Sequence, residues 1–133
     1  MTNWRYVKSL VSENSITDVQ KILGVSFSAS FISFVKQYNG GRPPVGTFNT
    51  HKTKERTIKS FLSFNPSDSE NILSMNANIS EIAKGVVAFA IDSFGNFICF
   101  RVADWNVVFV DHESGEVEII AKTFDDFLET LNG

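Results

Sequence analysis

Asp111-His112-Glu113 is the one place in this chain where a histidine stands between two carboxylates. Flanking carboxylates raise the basicity of an imidazole, and the trio offers nitrogen and oxygen ligands to a metal. Neighbours on an extended chain leave on opposite faces, however, so the three do not easily converge on one atom. The competing reading is a strand end followed by a polar turn, with Asp111 accepting from nearby backbone amides. His51, the other histidine, lies in a basic stretch, and a single cysteine closes no internal disulfide. Cys99 sits within Phe97-Ile98-Cys99-Phe100, where an inert packed thiol is expected. No G-x-S-x-G elbow, Walker loop or G-x-G-x-x-G fingerprint occurs, and Gly40-Gly41 follows a helical pattern, the wrong setting for either glycine motif. The expectation is therefore no catalytic residue, no metal and no cofactor.

Charge points to a surface instead. Residues 1–66 carry nine Lys/Arg and three Asp/Glu, and residues 67–133 carry three and twelve, so the halves balance at +6 and −9 and sum to −3. A basic cluster (Lys52, Lys54, Arg56, Lys59) lies in the first half. An acidic series (Asp104, Asp111, Glu113, Glu116, Glu118, Asp125, Asp126, Glu129) closes the second. Either both sets are solvated surface, interleaved by folding, or the acidic set forms a face that draws in a basic partner. The overall sign disfavours direct binding of nucleic acid.

The elements that must position these groups follow from periodicity. Trp4, Val7, Leu10 and Val11 recur at helical spacing and predict a short opening helix. Thr17 with Gln20 reads as a capping box for a second helix ending at Gly24. Ser28 caps a third, whose Phe31, Phe34, Val35 and Tyr38 form one apolar stripe stopped by Asn39-Gly40-Gly41 and Pro43-Pro44. Thr57 to Phe64 is β-like. Ile72, Met75 and Ile79 would share a helix face, with Asp68 as its cap.

Four strand-length runs then follow: Val86 to Ile91, Phe97 to Val102, Val107 to Asp111 and Glu116 to Ile120. The separators are short and rich in Asp, Asn and Gly, so sequential antiparallel hairpins are the economical topology. In Asp92-Ser93-Phe94-Gly95-Asn96 the favoured reading folds Phe94 back onto the core; the other exposes it as a contact point. Trp105, at the next turn between Asp104 and Asn106, is a plausible interface anchor. Thr123 with Asp126 opens a last helix. With 133 residues, 43% of them hydrophobic, this predicts one α+β domain over 1–133: N-terminal helices, a twisted antiparallel meander with helices covering one face, and a C-terminal helix. The longest apolar run, Val86 to Ile91, is too short to cross a bilayer, and no secretory signal is apparent, so a soluble cytoplasmic domain is expected.

Phe31-x-x-Phe34-Val35-x-x-Tyr38-Asn39-Gly40-Gly41-x-Pro43 resembles the helix-then-NGG-Pro signature of the SUKH superfamily. Phe61 to Phe64, Val86 to Cys99, Val107 to Glu113 and Ala121 to Leu131 are similar to its later blocks, in order. One departure is Phe27-Ser28 where the family often has Leu-Pro; a capping serine starts a helix as well. The resemblance implies an α+β fold without catalytic activity. It also implies either a bacterial immunity protein that neutralises a toxin, often a nuclease, or a regulator akin to the fungal cell-wall synthesis proteins. The expected partner is a basic toxin domain, with no direct nucleic acid and no membrane, bound by a monomer or homodimer. Asp92, Asp104, Trp105, Asp111, Glu113 and Glu116 are the candidate contact residues, provided that the strand-end loops share one edge. The signature residues Asp92, Asn96, Asp111 and Glu113 are equally open to a purely architectural role.

Overall fold

The computed structural model describes residues 4–50 and 56–131. Helices α1 (Ser15–Leu23) and α2 (Ala29–Tyr38) precede β1 (Thr47–Phe48), β2 (Arg56–Phe61) and α3 (Ile72–Ile79). Strands β3 (Val86–Asp92), β4 (Phe97–Arg101), β5 (Val107–Val110) and β6 (Val117–Ala121) follow, then α4 (Phe124–Thr130). All six strands lie side by side in chain order, each antiparallel to the next. This is the expected α+β meander, enlarged by the two-residue β1, too short to leave a periodic trace.

Both faces of the central sheet are covered, where one had been expected. Burial runs without alternation along β3, β4 and β5, the mark of strands packed above and below. One face carries Phe89 and Phe100, whose rings meet Phe31 of α2 and Phe124 of α4 at 5.0–5.9 Å. Against the flank of β3 rests α3, where Asn76 replaces a neighbouring strand. Its Oδ1 accepts from the Ala88 amide at 2.7 Å and its Nδ2 donates to the Ala88 carbonyl at 3.0 Å. The edge beyond Leu62, where β2 has ended, is thereby satisfied by a side chain.

Capping decides the helix starts. Ser28 Oγ accepts from Phe31 N and Thr123 Oγ1 from Asp126 N, as read. The Thr17–Gln20 capping box does not form. α1 begins three residues earlier, after Asn14, and Gln20 Oε1 instead accepts from Phe27 N at 2.8 Å. Asn71, not Asp68, caps α3; Asp68 takes the Ser63 hydroxyl.

The opening helix is absent as well. Residues 4–11 run irregularly, with Arg5 and Arg42 exchanging backbone bonds and Lys8 N donating to Asn39 O. Trp4 stacks on Tyr38 with ring centroids 4.5 Å apart and meets Phe34 edge-on. Long-range pairing and indole burial outweigh local helical spacing in so short a segment. Gly41 makes this approach feasible, because a Cβ there would lie 2.9 Å from Tyr38 O and 3.1 Å from the Trp4 ring.

Candidate functional site

Successive hairpins of a meander turn at alternate ends of the sheet, so the candidate residues cannot all share one edge. The β3–β4 and β5–β6 turns lie together at one end, bringing Asp92, Asp111, Glu113 and Glu116 near one another. The β4–β5 turn, with Asp104 and Trp105, lies at the other end, a strand length of roughly 13 Å away. The proviso of a single edge therefore fails for these two residues.

At the first end Asp92 is buried and spends its carboxylate internally. Oδ1 accepts from Phe94 N and Asn96 N at 2.9 and 2.8 Å, and Oδ2 from Asn96 Nδ2 at 3.0 Å, with Arg56 Nη1 3.5 Å away. Asn96 ties this hairpin to the next: its Oδ1 accepts from His112 N at 3.0 Å, and His112 Nδ1 sits 2.8 Å from the same oxygen. Gly95, at φ 86, makes the turn and passes under the imidazole, about 3.6 Å from where its Cβ would be.

Asp111 performs the turn-forming role. Its Oδ1 accepts from the amides of Glu113 and Ser114 at 2.9 and 3.1 Å. Asp111, His112 and Glu113 thus take three separate tasks, the last pointing outward with its side chain 83% exposed. Among the described residues no group of three or more His, Cys, Asp or Glu is placed to hold a metal ion. Cys99 is buried in β4, and that burial pushes its thiol well above its ordinary pKa.

The amides of Ser114 and Glu113 hold the Asp111 carboxyl below the usual aspartate range. A lowered folded pKa contributes stability at pH values above the ordinary aspartate range, lost as pH falls through the folded value. Exchange of the Glu113 and Ser114 amides is therefore expected to quicken only below that range. An Asp111 carboxyl titrating at its ordinary value by NMR would contradict the geometry.

At the opposite end, Asp104 is exposed and grips Arg101, with Nη2 donating to Oδ2 at 2.5 Å; that bond, then the Asn106 amide, lowers its pKa. Trp105 is not a protruding anchor. It is half-buried, with its ring 5.4 Å from Phe100 and 6.2 Å from Phe27. Its φ of 59° is unusual for a bulky residue, and the ring's burial offsets that strain.

Sequence reasoning favoured the wrong side of the choice at Phe94. Of the 13 phenylalanines, twelve are buried, while Phe94 is 75% exposed at the tip of the β3–β4 turn. No single-sequence signal separated it from the rest except its place between Asp92 and Asn96 in a turn. Of the basic cluster, two members are described, and both have partners. Arg56 is half-buried over the Phe109 ring, Lys59 pairs with Glu70, and Lys52 and Lys54, like His51, fall outside the described residues. No described helix is long and apolar enough to cross a membrane.

A family model described as SUKH_6, SMI1-KNR4 cell-wall, matches residues 13–128. No curated protein matches the chain.

Proposed function

The chain belongs to the SUKH_6 family, described as SMI1-KNR4 cell-wall, and from that premise we propose that it is an immunity protein that neutralises a toxin by binding it. The observation that carries this reading is the single exposed phenylalanine, Phe94, on a turn whose Asp92 and Asn96 side chains are bonded to each other and to the turn backbone. A ring held outward on a braced hairpin binds without much loss of side-chain freedom. Asp111, Glu113 and Glu116 border it on the adjoining turn and supply negative charge.

A nuclease domain needs a basic surface for phosphates, and an acidic rim around an apolar anchor competes for that surface. The protein acts in the cytoplasm, alone or as a homodimer, and transforms no substrate. It needs no cofactor and contacts neither nucleic acid nor membrane. Asp104 and Trp105 do not join this patch.

Co-expression with a toxin domain encoded in the neighbouring reading frame tests the proposal: growth is rescued and the two proteins co-purify. Phe94→Ala is expected to weaken the complex by about 30-fold or more, the effect of losing a hot-spot side chain. Glu113→Lys is expected to weaken binding and flatten its salt dependence. Both variants should melt with the parent protein. If no neighbouring toxin domain is neutralised or captured, an intracellular regulator or scaffold is the better reading, which the cell-wall description of the family already favours as the alternative.

A further inference from the structure

Away from the hairpin platform, α1 borders a second surface that the proposed function leaves unused. Val11 and Ile22 are 70% and 67% exposed, more than any other large apolar residue except Phe94 among those described. Both line one groove together with the buried Val19 and Phe64, the half-buried Leu73 and the exposed Pro66. Isolated apolar residues on a surface are ordinary; two such residues on one apolar groove are not. The wall carrying Val11 is fixed, because the Val11 amide donates to the buried Asn65 Oδ1 at 2.9 Å and Asn65 Nδ2 donates back to Ser9 O.

Charge identifies the occupant. Asp18 and Lys21, one turn apart on α1, flank the same groove, and among the described residues neither side chain has a polar partner. A two-fold axis that lays α1 antiparallel against its own copy sets Asp18 opposite Lys21 of that copy, and the reciprocal pair follows by symmetry. The same operation carries Ile22, near the C-terminal end of α1, toward the Val11 end of the other groove. One helix thus presents an acid, a base, an apolar projection and an apolar recess in a self-complementary order.

We propose that this groove is a homodimer interface, occupied by α1 of a second copy of the chain. The surface is separate from Phe94 and its acidic rim, so dimerisation and toxin binding stand or fall independently.

Sedimentation velocity on the full chain, over a micromolar dilution series, tests the assignment. The parent protein is expected to sediment as a dimer that dissociates on dilution. Ile22→Asp is expected to sediment as a monomer that melts where the dissociated parent melts at high dilution, since the side chain is exposed in the single chain. Asp18→Lys sets cation against cation across the axis, and Lys21→Asp sets acid against acid; each is expected to weaken the dimer at least tenfold. The double variant Asp18→Lys/Lys21→Asp restores both pairs and with them the dimer, a rescue that an unrelated partner would not require. A monomeric parent at every concentration overturns the proposal. So does a dimer indifferent to Ile22→Asp, or a double variant as weak as the single ones.

Discussion

Asn39→Ala is expected to destabilise the protein by about 2–5 kcal/mol, because it leaves two backbone groups without partners in or beside the core. The Asn39 side chain is buried between the end of α2 and the segment after β2. Its Oδ1 accepts from Phe64 N at 2.8 Å, and its Nδ2 donates to Lys8 O at 2.9 Å and Ser63 Oγ at 3.1 Å. Ser63 keeps Asp68 after the substitution, whereas the Phe64 amide and Lys8 carbonyl keep nothing that replaces the lost amide. Urea unfolding should show the midpoint falling with an unchanged slope, the signature of lost stability rather than an altered unfolded state. Asn39→Asp separates the two halves of the amide: it retains an acceptor for Phe64 N, loses both donated bonds and buries a charge. It should therefore be at least as damaging as alanine. A loss below about 1 kcal/mol for either variant would mean that the N-terminal segment is not anchored through this residue.

The same residue shows how far the sequence carries. Asn39 is legible as the end of a helix, and α2 does end there, with Gly40 just beyond it at a φ of 69°. Its work is done by its amide at sequence separations of 24 to 31 residues, which no local pattern encodes. Asn76 is hidden similarly, since on a helical face it looks like a polar interruption until Ala88 lies against it. By contrast, α2, α4 and the four strands β3 to β6 are written in periodicity and caps within each segment. The platform is legible in part. Asp111 binding its own turn follows from Asx chemistry, and alternation of hairpin ends follows from the meander itself. Phe94 does not follow, because a turn phenylalanine has no period to say whether it faces in or out.

Phe31→Ala should be as damaging as Asn39→Ala by a different route. The ring is 2% exposed and touches six others, with Phe124, Phe27 and Phe100 at centroid distances of 4.9–5.0 Å and Phe89, Phe64 and Phe34 farther out. Truncation removes the hydrophobic contribution of the ring and opens a cavity, together worth about 3–5 kcal/mol. Those six neighbours belong to α2, α4, β3, β4 and the segments flanking α2 and β2, so the walls cannot all close inward without shifting several elements. A domain this size has only about 5–15 kcal/mol in hand, so the variant should populate unfolded chains at modest urea concentrations. Phe31→Leu restores part of the volume and should recover part of the loss. Phe94→Ala is the internal control: the same chemical deletion on an exposed turn should change stability by less than about 0.5 kcal/mol. Equal losses at the two positions would mean that Phe94 packs on the body of the protein, and the binding platform would lose its anchor.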